Sequence, residues 1–185
     1  MSNTRPSLEV AVVMRRERIE GAMSRWQSWR WVLADVVLHE DGFGTAPRLL
    51  YKNENEERWL HPGYKVELFT DDAEGYNLNV TTAAPGWFVL WRMEEEAGIS
   101  DEPMAKPEVV SLSYIDAGRW LDAQETVEQV PAPAAVVQWL QAFVDEYHVA
   151  EPKRRKRPES FKSLTDRFGN PVSITTEKKS GGGHG

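Results

Sequence analysis

The stretch Trp29-Arg30-Trp31-Val32-Leu33-Ala34-Asp35-Val36-Val37-Leu38-His39 decides how this chain is read. A β-strand sends successive side chains to opposite faces. On that period Trp29, Trp31 and Leu33 share one face, and Val32, Ala34 and Val36 share the other. Both faces are largely apolar, so the segment reads as a central strand of a sheet. Asp41-Gly42-Phe43-Gly44 breaks it with two glycines.

Upstream, residues 8–14 are apolar and β-rich and read as a strand, while 15–27 are charged and irregular. Downstream, 48–52 and 57–60 form a hairpin around Asn53-Glu54-Asn55-Glu56. His61-Pro62-Gly63 reads as a turn, because proline presets φ and glycine accepts positive φ. A strand over 64–70 and a turn over 71–75 follow. Residues 76–82 alternate Tyr76, Leu78, Val80 and Thr82 against Asn77, Asn79 and Thr81, which is a strand pattern. Residues 87–93 form an aromatic strand, 94–107 a loop and 109–115 a last strand. Asp116 is placed to cap a short turn through Trp120 and Leu121. Pro133 opens a helix over 133–148, with Val136, Val137, Leu140, Phe143, Val144 and Tyr147 on one side. The fold class expected is mainly β (α+β): a curved antiparallel sheet or small barrel capped by one C-terminal amphipathic helix. This order of elements is similar to that of small pleckstrin-homology barrels, a likeness of order alone that carries no function.

At 185 residues, 41% hydrophobic and 28% charged, the chain suits one domain with an appendage. It has no cysteine, which excludes disulfides, thiolate metal sites and cysteine nucleophiles. Its charge of −7 is uneven. Residues 151–185 carry nine Lys/Arg and four Asp/Glu, or +5, and residues 1–150 carry 13 and 25, or −12. All eight tryptophans lie in the first 150 residues. The expected division is a globular β-rich domain over 1–150 and a basic tail over 151–185, disordered in isolation for want of apolar surface. No secretory signal or membrane span is legible. The longest apolar run near the start, Val10 to Met14, is too short, so a cytoplasmic, bacterial protein is expected.

Enzyme signatures fail in turn. No G-x-S-x-G is present. Gly42-Phe43-Gly44 lacks the third glycine of a dinucleotide loop, and no phosphate-binding loop exists. His39, His61, His148 and His184 form no ligand motif; a meeting of His39 and His61 in space is outweighed by their reading as surface residues beside turns. Glu94-Glu95-Glu96 and the Asp71–Glu74 cluster lack a calcium-loop pattern and read as solvated. No catalytic residue, metal ligand or cofactor site is therefore assigned.

Three features carry binding hypotheses. Arg25-Trp26-Gln27-Ser28-Trp29-Arg30-Trp31 is either an aromatic, basic platform or part of the core and its cap, with Arg25 and Arg30 over tryptophan faces. Trp26 is the residue expected to be exposed. The run Lys153, Arg154, Arg155, Lys156 and Arg157 suits an acidic protein surface, RNA or anionic lipid, or is a solvated linker. The −12 of the body disfavours nucleic acid. Phe161, Leu164 and Phe168 follow at helical spacing as a short docking motif. A dispersed small-molecule or enzyme site would draw on His61, Tyr76, Arg92 and Arg119.

Four dispersed blocks are Glu57-Arg58-Trp59-Leu60-His61-Pro62-Gly63, Glu74 to Thr81, Trp87 to Glu94, and Ala117-Gly118-Arg119-Trp120-Leu121-Asp122. Together they resemble the proteobacterial domain-of-unknown-function family 3305, over about residues 8–150. The resemblance brings no catalytic residue. It implies a gene neighbourhood of formate dehydrogenase and molybdenum-cofactor genes. The expected role is a non-catalytic accessory protein for assembly or maturation of a molybdenum-dependent formate dehydrogenase. A small-molecule module, or an enzyme with a dispersed site, is the alternative.

Overall fold

The structure is a computed structural model that describes residues 4–25, 28–94 and 102–149. The basic run, Phe161, Leu164, Phe168 and Trp26 lie outside these residues. Among the described residues seven strands and three α-helices follow one another: β1 (Ser7–Arg18), β2 (Trp29–Leu38), β3 (Arg48–Lys52), β4 (Glu56–Glu67), α1 (Ala73–Val80), β5 (Gly86–Glu94), β6 (Met104–Ser111), α2 (Tyr114–Asp122), β7 (Thr126–Pro131) and α3 (Ala134–Tyr147). The fold is mainly antiparallel β with a C-terminal helix, and its sheets do not close into a barrel. Sheet A has the order β2-β1-β4-β3 and sheet B the order β6-β5-β7.

The core lies between the sheets. Val10, Val12 and Met14 of β1 meet Trp87, Val89 and Trp91 of β5 there, with Val136, Leu140, Phe143 and Val144 of α3 in the same cluster. α3 thus buries Val136, Leu140, Phe143 and Val144 of the stripe read from the sequence, while Val137 is half-buried and Tyr147 is exposed. On the outer face of sheet B, α2 packs Tyr114 and Ala117 on Phe88, ring edge to ring face at 5.9 Å. β1 and β5 are interior strands with apolar cover on both faces, and from Val10 to Met14 every side chain is buried.

Several expectations are corrected. The deciding stretch is a strand, but β2 is an edge rather than a centre. Its faces also switch: Met14 pairs with Leu33 and Val13 with Asp35, so Ala34 is a bulge and Leu33 and Val36 share the core face. His61-Pro62-Gly63 is not a turn. It lies inside β4, where the register slips between Val10 and Val12, and Gly63 takes φ 93°. The turn chemistry is spent on a bulge, which bends a strand without ending it.

Residues 76–82 are not a strand. Ala73, Gly75, Tyr76 and Asn79 are the buried members of α1, a spacing of three to four that the alternation of Tyr76, Leu78 and Val80 masked. Asn79 is buried and fully used: its amide nitrogen donates to the carbonyls of Gly86 and Leu112, both at 2.9 Å, and its oxygen accepts from the Gly86 N–H at 3.1 Å. Gly75 lets α1 approach α2, since a Cβ there would overlap Ser113 Oγ. The α2 cap is Ser113, not Asp116: its hydroxyl accepts from the Asp116 N–H at 3.2 Å, so the helix starts a turn earlier than read. Strand β7 has no counterpart in the sequence reading, and β6 starts within the segment read as a loop.

Candidate functional site

Sheet A outruns the core. Past Met14, β1 continues as Arg15, Arg16, Glu17 and Arg18, still paired with β2 on one side and, as far as Glu17, with β4 on the other. Alternation then sorts the side chains. Arg16 and Arg18 share the inner face with their partners Trp29, Trp31 and Glu57; Arg15 and Glu17 share the outer face with Arg30, Glu56 and Arg58.

On the inner face the Arg16 guanidinium lies 4.6 Å from the centre of the Trp29 ring, and that of Arg18 lies 5.2 Å from it. A cation over an indole face is held by the ring quadrupole. Arg16 also donates to Glu57 at 3.2 Å and to Glu102 at 2.5 Å. Glu57 is buried and accepts from the Trp59 indole at 3.1 Å, which fixes its carboxylate. A cleft of about 600 Å³ opens here, walled by Arg16, Trp29 and Trp31 on the sheet A side and by Trp91, Met93 and Glu102 opposite. Its back is pinned by Glu128 of β7. One carboxylate oxygen accepts from the Trp91 indole at 2.8 Å and from the Leu33 N–H at 3.1 Å, so a single side chain ties β2 to sheet B.

The outer face is a ladder of ion pairs: Arg30 with Glu17 at 2.6 Å, Arg15 with Glu17 at 2.9 Å, Arg58 with Glu56 at 3.3 Å, and the Tyr51 hydroxyl donating to Glu56. That hydrogen bond raises the Tyr51 phenol above its ordinary range and lowers the Glu56 carboxyl.

Within the aromatic segment, Trp31 packs against the core and, with Trp29, walls the cleft. Arg16 and Arg18 cover Trp29, while Arg30 turns to Glu17 on the other face. Reading 15–27 as irregular hid this, because only a strand through Arg18 puts Arg16 and Arg18 on one face.

The four pocket candidates are spread over β4, α1, β5 and α2. His61, opposite Val12, is 4% exposed and its Nε2 has no partner among the described residues. Burial, helped by the charge of Lys106, pulls its pKa down to about 4. Tyr76 is buried against Phe143, and its hydroxyl accepts from the Phe69 N–H at 3.0 Å. Arg92 is exposed and grips Glu125 with two bonds, at 3.0 and 2.6 Å, which lowers that carboxyl. Arg119 is exposed and paired with Asp116 on α2. His39 packs edge-on against Phe43. Among the described residues no cluster of His, Asp and Glu is placed to hold a metal ion, and no helix is long and apolar enough to cross a membrane.

Fold and cleft together define a two-sheet α+β domain with an aromatic, arginine-lined recess at one end. The model of the family described as "Protein of unknown function (DUF3305)" matches residues 9–157, so the chain belongs to that family. Neither a curated protein nor a solved structure matches it.

Proposed function

We propose that this chain is a non-catalytic adaptor of the bacterial cytoplasm that docks a segment of a partner protein in its tryptophan–arginine cleft. One observation carries the reading: Trp29, Trp31, Trp91 and Met93 surround a stacked, half-buried Arg16 at the end of the chain's longest strands. Tryptophan, arginine and methionine are enriched at protein interfaces, and the energy of binding concentrates on such residues in partly desolvated recesses. The client favoured by the family resemblance is a molybdenum-dependent formate dehydrogenase or one of its maturation factors. The basic run Lys153–Arg157 with Phe161, Leu164 and Phe168 supplies a second contact.

The test is capture of the purified dehydrogenase and its maturation factors on the tagged full-length protein, beside a chain ending at Ala150 and a Trp31→Ala variant. Retention by the intact protein, reduced about tenfold or more by Trp31→Ala, is expected. No retention at all overturns the client; equal retention by the variant overturns the cleft. A second reading, a small-molecule module, is favoured by the size of the recess, since ligand pockets run from roughly 300 to 1,000 Å³. A small-molecule soak that fills the cleft, with no partner retained, would select it.

A further inference from the structure

We infer that the partner segment is acidic, presenting an internal Asp or Glu carboxylate next to an apolar side chain, and that this carboxylate replaces Glu102 on Arg16. The inference rests on the docking reading above and adds the chemistry of the occupant.

The charge layout comes first. The body carries 13 basic and 25 acidic residues. Six of the basic ones, Arg15, Arg16, Arg18, Arg30, Lys52 and Arg58, sit at the projecting end of sheet A. Glu17, Glu56, Glu57 and Glu102 pair with them, and Glu54 lies in the turn before β4, so six cations face five acids at this end while the rest of the body carries seven basic and 20 acidic residues. An acidic segment therefore meets less repulsion at this end than over the rest of the body.

The geometry of Arg16 is the second argument. Its side chain is 18% exposed and carries two carboxylates. Glu57, 11% exposed and tied to Trp59, belongs to the frame. Glu102 is 61% exposed and reaches over from the segment that leads into β6. A guanidinium offers its donors in a planar fork, so one side can stay on Glu57 while the other exchanges one carboxylate for another. The exchange conserves charge, and an ion pair to so exposed a carboxylate is weak. What tips it is the apolar neighbour on the incoming chain, which gains Trp31, Trp91 and Met93 as its wall.

The experiment follows the indole N–H resonances of the full-length protein, assigned by single Trp→Phe variants. It is titrated with three end-capped peptides: Gly-Glu-Phe-Glu-Leu-Gly, the same with Gln for Glu, and the same with Lys for Glu. The acidic peptide is expected to shift Trp29, Trp31 and Trp91, to bind at least tenfold more tightly than the Gln and Lys peptides, and to weaken with added salt. Arg16→Met should abolish that preference, and Glu102→Gln should tighten binding several-fold by vacating Arg16. The inference is overturned if the acidic peptide moves none of these resonances, if the Gln or Lys peptide binds as well, or if Glu102→Gln leaves the affinity unchanged. The docking reading has its own readout, the Trp31→Ala capture, so it survives a failure here if that variant still loses the partner.

Discussion

The two halves of β1 share one ladder of backbone hydrogen bonds and do different work. From Val10 to Met14 both faces are covered, by sheet B and α3 inside and by Ala34, Val37 and Phe43 outside. From Arg15 to Arg18 the same strand, between the same neighbours, carries three arginines and one glutamate beside partly exposed tryptophans. Backbone pairing is thus indifferent to what it displays. Cover decides whether a stretch of sheet becomes core or becomes a surface, and here a sheet longer than its core supplies a rigid platform at small cost in order.

The largest expected effect breaks the frame that holds the cover in place. Asn79→Leu leaves the Gly86 N–H and the Gly86 and Leu112 carbonyls without the partner they have, and should cost about 4 kcal/mol in urea unfolding. A loss below about 1 kcal/mol would mean that water replaces the amide.

Within β1 itself, Met14→Ala should cost about 3 kcal/mol, the usual penalty for truncating a fully buried methionine. Two residues on, Arg16→Met should act mainly on binding, and comparable unfolding midpoints for the two variants would erase the contrast.

Acid should weaken the covered half first. His61 is neutral when folded, with a pKa of about 4, and takes up a proton near 6.5 when unfolded. Stability is therefore full above pH 6.5, falls as pH drops toward 4, and levels off below. The loss should reach about 2 kcal/mol by pH 5. His61→Leu should flatten that part of the profile, and an unchanged slope would assign it to carboxylates instead.

The smallest effect belongs to the outer ladder. Arg30→Ala removes an exposed ion pair to Glu17 and should change stability by no more than about 0.5 kcal/mol, less in high salt.

How much of this was legible follows from period and cover. α3 is legible because its apolar residues repeat at helical spacing, and the strands at 29–38, 48–52 and 86–94 because they are short β-rich runs with turn residues beside them. α1 was not: its burial rests on an alanine, a glycine, one tyrosine and a hydrogen-bonded asparagine, which a hydrophobicity pattern scores as polar. The His61-Pro62-Gly63 bulge failed for the opposite reason, since its residues are those of a turn. The cleft needed register. Trp29 and Trp31 stand out in the sequence, but Arg16, Trp91, Met93 and Glu102 join them through contacts between 13 and 86 positions apart, and nothing local marks them.

The double acceptor on Glu128 has one more consequence. An outermost strand with free amides is a template on which another molecule can add a strand, the first step toward fibrils. By answering the Leu33 amide from the neighbouring sheet, Glu128 places a negative charge where a foreign backbone would have to pair. That carboxylate therefore guards solubility as well as holding the wall, and its loss should reveal itself first as aggregation on storage.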